Sequence, residues 1–168
     1  MPDPSRHAQD RSWPESIARK IPGFRGYLEQ EYRRESDHLL RQSLAEKLQG
    51  AKSQLDQLLR RLVDAVRLDD LPGYERVRGR LDGLINQLRS AERGYSAVFG
   101  FVRVREQELD QVYQVDMSLT DQVEAFVPRC TSPAPGQTAS DHVAELIEKI
   151  DALEKQFGQR AQILKGTN

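Results

Sequence analysis

The chain has 168 residues, which suits one domain, and its 25 Lys and Arg residues nearly balance 26 Asp and Glu residues, giving a net charge of -1. Without an excess of positive charge, nonspecific nucleic-acid binding is not expected as the main activity. The single cysteine, Cys130, excludes an internal disulfide and a Cys-rich zinc site. No apolar run approaches the roughly 20 residues of a membrane span, and the N-terminus lacks a signal-peptide pattern, so a cytoplasmic protein is expected.

Residues 1–12 are polar and contain two prolines, and they are predicted to form a disordered arm. Residues 13–168 are predicted to form a single helical bundle domain. A short leading helix begins at Ser12, Pro14 and Glu15, which suit an N-cap, a first turn and the positive end of the helix dipole. It ends near Lys20 because Pro22 disfavours a helical residue before it.

Three long helices follow in the prediction. The first runs from about Gly26 to Arg67, and the second, from Tyr74 to Phe126, keeps the three- and four-residue spacing of a buried helix face. Glycines at positions 94 and 100 make a bend in this middle helix plausible. A Pro-rich loop over 128–140 leads to the last helix, which is capped by Ser140 or Asp141 and ends at Gly166.

The predicted fold class is all-α: an elongated antiparallel bundle of three long helices plus the short leading helix. In this register the last helix covers only the far half of the middle helix. Residues 45–95 would then form a two-helix coiled-coil arm with a broad apolar face made of Leu55, Leu58, Leu59, Leu62, Val63 and Val66. An uncovered face of that kind predicts self-association, with a homodimer as the expected form, or binding of a partner protein.

Two similar elbows, Ile21-Pro22-Gly23-Phe24 and Leu71-Pro72-Gly73-Tyr74, each precede a long helix. Proline at the second position and glycine at the third suit a type II turn. Both elbows are therefore predicted to be chain reversals, the first laying the Trp13 helix back onto the bundle.

Glu35 and His38, whose spacing places both on one helical face, are candidate metal ligands, as are His142 and Glu145. The predicted register separates the two histidines by about 30 Å of helix, at 1.5 Å per residue, so no metal or other cofactor is expected. Cys130 lies beside Arg129 but has no histidine near it in sequence. No catalytic residue and no small-molecule substrate are predicted.

The sign-alternating run after the first elbow is the one segment that helix formation alone does not explain. Its charges include favourable helical pairs such as Glu29 with Arg33. Arg33, Arg34 and Asp37 are the candidate partner-binding residues, since two adjacent arginines suit an acidic partner.

Ile21 to Asp37 reads I-P-G-F-x-G-Y-x-E-x-E-x-R-R-E-x-D, and this stretch resembles the opening of a group of uncharacterised bacterial helical-bundle proteins. The resemblance implies a protein without enzymatic activity, loosely linked to membrane-scaffold or stress systems, and it transfers no site residue. The long helices are also similar to the hairpin of phage-shock and ESCRT-like proteins, but the basic N-terminal helix of those proteins is missing.

The leading functional hypothesis is a non-enzymatic helical scaffold or adaptor that acts through helix-face contacts and self-associates. The alternative is a peripheral membrane-stress protein that contacts lipid through the leading helix, where Trp13 and Ile17 accompany Arg19 and Lys20. A third hypothesis is a metal-dependent helical-bundle enzyme.

Overall fold

The computed structural model describes residues 12–27, 30–91 and 106–165, and within these ranges it contains five α-helices and no strand. The helices are α1 (Ser12–Lys20), α2 (Gln30–Asp64), α3 (Leu71–Ser90), α4 (Glu106–Arg129) and α5 (Ala139–Lys165), with a 3-10 turn at Leu68–Asp70. The predicted all-α bundle is confirmed. The disordered arm predicted for residues 1–12 lies outside the described residues except for Ser12, which begins α1, and the bend predicted near residues 94–100 also lies outside them.

Two antiparallel hairpins make up the bundle. In the first, α2 and α3 are joined by an ion pair between Lys52 and Asp82, whose Nζ and Oδ1 atoms lie 2.6 Å apart. In the second, Arg129 near the end of α4 pairs with Glu145 near the start of α5 at 2.8 Å. Because sequential helices run in opposite directions in both pairs, the antiparallel arrangement predicted from the short connections is correct.

The two hairpins lie side by side, and α2 is parallel to α4. Lys47 on α2 pairs with Glu124 on α4 at 2.6 Å, and further along both helices Arg61 donates a hydrogen bond to the carbonyl of Thr131. On the other side, α3 packs against α5, where Arg80 pairs with Glu154 at 2.8 Å.

This arrangement corrects two predictions. Because α3 and α4 point in opposite directions, one continuous middle helix from Tyr74 to Phe126 is wrong. The bare two-helix arm at residues 45–95 is also wrong, since α4 and α5 cover the α2–α3 hairpin. Leu55, Leu58 and Leu62 are buried in this contact and Leu59 is half-buried, so the broad face that motivated self-association is largely covered within the chain.

The apolar positions of the helices meet in a single core. The period of three and four residues in each helix turns these side chains to one face, and that face is the buried one. The core includes Ile17, Ile21, Leu40, Leu44, Leu48, Leu55, Tyr74, Val77, Leu81, Val112, Leu119, Val123, Phe126, Leu146, Ile150 and Leu153. The sequence pattern therefore predicts the buried face of each helix well.

The first elbow is a turn, as predicted: Phe24 N–H donates to the carbonyl of Ile21 at 3.2 Å, and Gly23 has a φ of 85°. It leads from α1 to α2, and the side chains of Ile17 in α1 and of Ile21 in the elbow are buried. α1 packs against α4, and Lys20 pairs there with Glu124. The leading helix is thus part of the bundle.

The second elbow is not a turn. Leu71 to Tyr74 form the first turn of α3. Pro72 suits this position because the backbone N–H that proline lacks would have no partner within the helix there. The last helix also begins differently from the prediction. Thr138 caps it by accepting a hydrogen bond from Asp141 N–H at 3.0 Å, rather than Ser140 or Asp141 acting as the cap.

Candidate functional site

Four charged side chains lie together in the interior of the bundle. Asp37 and Arg41 come from α2, Asp116 from α4 and Arg160 from α5, and all four are buried, with Arg160 and Asp116 completely so. We call these residues the charge cluster. Buried charges are costly unless they are paired, so their contacts decide whether the cluster stabilises or strains the fold.

Each member of the charge cluster has an oppositely charged neighbour. Arg160 lies between the two carboxylates: its Nε donates to Asp116 Oδ1 at 2.6 Å, and its Nη1 lies 2.7 Å from Asp37 Oδ1. Arg41 Nε donates to the other oxygen of Asp37 at 2.9 Å, and Arg41 Nη1 donates to the carbonyl of Leu88 at 2.9 Å. The two positive and two negative charges cancel, and the contacts link α2, α3, α4 and α5.

The segment between α1 and α2 closes the charge cluster. Tyr27 donates a hydrogen bond from its hydroxyl to Asp116 and accepts one from Arg160 Nη2 at 3.1 Å. Its backbone N–H donates to the hydroxyl of Tyr113 at 2.6 Å, and the two tyrosine rings stack with their centroids 5.1 Å apart. Gly26, with a φ of 85°, allows the chain to pass close to Tyr113.

Burial and neighbouring charges both shift the pKa values of these groups. Burial raises the pKa of Tyr27 well above its usual value, and the Asp116 carboxylate raises it further. Burial also raises the pKa of Asp116, although Arg160 opposes that shift. For Arg160, burial disfavours the charged form, but Asp116 and Asp37 outweigh it and keep the pKa well above the ordinary range. A largely buried, paired network of this kind fixes the positions of the helices.

The three predicted partner-binding residues occupy different environments. Arg34 is exposed on α2. Arg33 is half-buried, and its Nε donates to the carbonyl of Tyr27 at 2.6 Å. Asp37 belongs to the charge cluster and is only 4% exposed, which differs from the surface position that the alternating charges suggested. A partner at this surface would meet Arg34 first.

The sequence contains a signal for the charge cluster that sequence reasoning missed. Asp116 falls between Val112 and Leu119 on the apolar face of α4, and Arg160 falls between Phe157 and Leu164 on that of α5. A charged residue at a position where the helical period requires an apolar one indicates a buried ion pair.

His38 and His142 lie near opposite ends of the bundle. His142 is buried, with Nε2 2.7 Å from the carbonyl of Arg129 and Nδ1 2.8 Å from the hydroxyl of Tyr74. Because a carbonyl only accepts, Nε2 carries the proton in this contact. Glu35 and His38 are exposed on α2 near the opposite end of the bundle, so the structure keeps the two histidines apart. Across residues 12–27, 30–91 and 106–165, no three His, Cys, Asp or Glu side chains are grouped to hold a metal ion.

Cys130 lies at the end of α4 and is completely buried. Burial raises the pKa of its thiol to about 12, and the nearby Arg129 only partly opposes this shift. The Arg129 guanidinium is held instead by Glu145, through hydrogen bonds of 2.8 and 2.9 Å. The predicted neighbourhood of Cys130 and Arg129 therefore exists, but it does not activate the thiol.

The end of the α2–α3 hairpin carries a small exposed apolar surface. Val63, Val66 and Leu68 are 51%, 77% and 56% exposed, and they are the large exposed hydrophobic side chains of the residues that the structure describes. We call this group the apolar corner. It lies at the chain reversal between α2 and α3.

The apolar corner has an unusual backbone. Arg67 N–H donates to the carbonyl of Leu62 at 2.8 Å and Val66 N–H donates to that of Val63 at 3.0 Å, which is the bonding pattern of a Schellman motif. The residue in the left-handed position of this motif is usually glycine, but here it is Val66, with a φ of 58°. A β-branched residue in this region is a strained exception.

Comparisons with known proteins add no family to this description. No protein-family model, no curated protein and no solved structure matches the chain. Within the described residues, no helix is both long enough and apolar enough to cross a membrane. A function must therefore be inferred from the residues themselves.

Proposed function

We propose that the protein is a non-enzymatic helical adaptor that binds a partner protein through the apolar corner. The observation that carries this proposal is Val66: a strained left-handed valine whose side chain is 77% exposed. The left-handed conformation costs roughly 1–2 kcal/mol for a residue with a Cβ atom. Glycine would remove that cost, and folding gains nothing visible from the exposed valine side chain, so a role in binding explains why an apolar residue stands there.

The chemistry of the interior supports a role without catalysis. The charge cluster is largely buried and electrically balanced, both ring nitrogens of His142 are hydrogen-bonded, and burial keeps Cys130 protonated. These groups have structural contacts that account for their positions. A surface role fits this distribution better than a reaction at any of them.

The alternative function, membrane contact through the leading helix, requires a larger change in the bundle than binding through the apolar corner does. Ile17 of α1 and Ile21 just after it are buried against the bundle, and Lys20 is paired with Asp121 and Glu124. Lipid contact through these apolar residues would require α1 to leave α4. The apolar corner needs no such rearrangement.

The size of the apolar corner favours a partner with a groove over a symmetric dimer. A stable protein interface buries about 800 Å² on each side, far more than three exposed side chains supply. A small apolar projection instead suits a concave pocket on another protein, where a few enclosed anchors carry most of the binding energy. Self-association through this surface is therefore expected to be weak.

The test uses Val66→Gly, because this change separates stability from binding. Glycine is favoured at the left-handed position, so the variant is expected to unfold at higher urea concentration than the wild type while losing its apolar side chain. Gly50→Ala, on the exposed surface of α2, is the matched control: it also stabilises the helix but leaves the apolar corner intact.

Each variant is immobilised and used to capture proteins from a bacterial lysate, with quantitative mass spectrometry as the readout. The expected result is a protein retained by the wild type and by Gly50→Ala but lost with Val66→Gly and with Val63→Thr. Equal retention by all four chains would reject the apolar corner as the binding surface. Light scattering of the same samples tests self-association, and a stable dimer that survives Val66→Gly would also contradict the proposal.

A further inference from the structure

A cavity of about 260 Å³ lies where the first half of α2 meets the end of α3. It is lined by His38, Arg41, Gln42, Glu46, Leu88 and Arg89. The cavity is separate from the apolar corner, which lies at the other end of the α2–α3 hairpin. We call it the Arg41 cavity, and the geometry points to a binding site for a small oxyanion, either a carboxylate or a phosphate group.

Arg41 is the residue that makes this cavity more than a surface depression. Its side chain is buried, with only 3% of the residue exposed, and the Asp37 carboxylate and the Leu88 carbonyl hold the guanidinium in a fixed orientation. Arginine has five N–H donors, and these two bonds use only Nε and Nη1. Nη2 donates no hydrogen bond to any of the described residues.

Arg41 lines the cavity, and Nη2 is the donor group that its two hydrogen bonds leave for a ligand there. An oriented, largely desolvated guanidinium with free N–H groups is well suited to bind a carboxylate or phosphate oxygen.

The other lining residues add a second positive charge and a polar wall. Arg89 is exposed at the end of α3 and forms no ion pair with the described residues. Glu46 opposes an anion, but its Oε1 accepts a hydrogen bond from Gln42 Nε2 at 3.1 Å. Arg41 and Arg89, on facing helices, therefore line one space with Glu46, while Asp37 is paired with Arg41 and does not line the cavity.

The volume limits the ligand. Pockets for drug-sized ligands and cofactors usually enclose about 300–1,000 Å³, so the Arg41 cavity suits a smaller molecule. Inorganic phosphate and acetate carry the two oxyanion chemistries in their simplest form. They are the probes that distinguish a phosphate site from a carboxylate site.

The test is an NMR titration of the full chain, labelled with nitrogen-15, with sodium phosphate or with sodium acetate at constant ionic strength. The expected result is a saturable shift of the Arg41 Nε–H and Gln42 side-chain signals with at least one of the two anions. Arg89→Gln is expected to weaken that binding about tenfold, the effect of losing one charge-assisted hydrogen bond. Glu46→Gln is expected to tighten it.

Matched variants separate a built site from general charge attraction. Arg60→Gln removes an exposed positive charge elsewhere on α2, and Glu75→Gln removes an exposed negative charge on α3. Neither residue lines the cavity, so both variants should bind as the wild type does. Shifts that never saturate with either anion, or equal weakening by Arg60→Gln and Arg89→Gln, would overturn the proposal.

Discussion

Arg160 on α5 and Asp116 on α4 face each other in the interior of the bundle, with 2.6 Å between Nε and Oδ1. Both residues are completely buried, and Arg160 also lies 2.7 Å from Asp37 on α2. One guanidinium thus fixes three helices relative to one another. Because purely apolar packing tolerates small shifts between helices, a directional contact of this kind favours one register of the bundle.

Replacing Arg160 with methionine is expected to lower the free energy of unfolding by about 3–5 kcal/mol. Methionine supplies an unbranched apolar side chain in place of the arginine, but the substitution leaves two buried carboxylates without their shared partner. Urea denaturation followed by circular dichroism measures the loss. Arg80→Met serves as the control, because Arg80 pairs with Asp151 and Glu154 at the surface, where solvent screens the pairs and the loss is expected to be much smaller.

A second variant checks the cause of that loss. Adding Asp116→Leu to Arg160→Met removes one orphaned carboxylate and leaves Arg41 paired with Asp37. The double variant is expected to recover part of the lost stability, since neutralising a buried unpaired charge removes its desolvation cost. No recovery would mean that the loss arises from packing and not from charge.

The sequence predicts well which faces of the helices are buried, but it predicts poorly how the helices are arranged. The three- and four-residue spacing identifies the buried faces, including Leu44, Leu55 and Leu81, because burial follows from helical geometry alone. The arrangement depends on how α3 and α4 are oriented, and an apolar stripe that continues across both helices contains no information on a reversal between them. The error about the coiled-coil arm follows directly from reading one helix where there are two.

The charge cluster shows a second limit of sequence reasoning. Asp37 and Arg41, four residues apart, look like an ordinary surface pair on a helix. Their burial becomes apparent only with Arg160, which is more than a hundred positions away in the sequence. Local spacing cannot reveal such a partner, although charged residues on the apolar faces of α4 and α5 indicate where to look.

The Glu145 carboxylate is expected to make stability depend on pH in the acid range. Hydrogen bonds from Arg129 and Gln137 lower its pKa from 4.5 to about 2. Because the folded state holds the carboxylate in its charged form, this stabilisation is present above pH 4.5 and disappears as the pH falls toward 2.

The variant Glu145→Gln tests this dependence. Its free energy of unfolding should fall below that of the wild type at pH 6, and the difference should shrink steadily between pH 4.5 and the lowest pH at which the fold persists. Glu75→Gln, an exposed residue on α3, provides a control that should show no such change. A difference that stays constant with pH would contradict the assigned role of the carboxylate.

The Cys130 thiol is expected to resist alkylation in the folded protein. It is completely buried and its pKa is raised to about 12, so almost no thiolate is present at pH 8. Iodoacetamide labelling followed by intact-mass spectrometry should be slow in buffer and rapid in concentrated urea. A rate in buffer close to the rate in urea would show that the end of α4 opens readily.

Gly26→Ala is expected to destabilise the protein by about 2 kcal/mol or more, since two unfavourable effects combine at this residue. Gly26 has a φ of 85°, and a Cβ atom added there would lie 2.6 Å from the Tyr113 hydroxyl oxygen. That hydroxyl accepts the hydrogen bond from Tyr27 N–H, so the substitution also disturbs the segment that closes the charge cluster. Gly50→Ala, with open space around its Cβ position, should instead stabilise the chain. Urea denaturation measures both changes, and hydrogen exchange at the Tyr27 amide reports whether the closing segment has loosened. Unchanged stability together with unchanged exchange in Gly26→Ala would contradict the close approach between Gly26 and Tyr113.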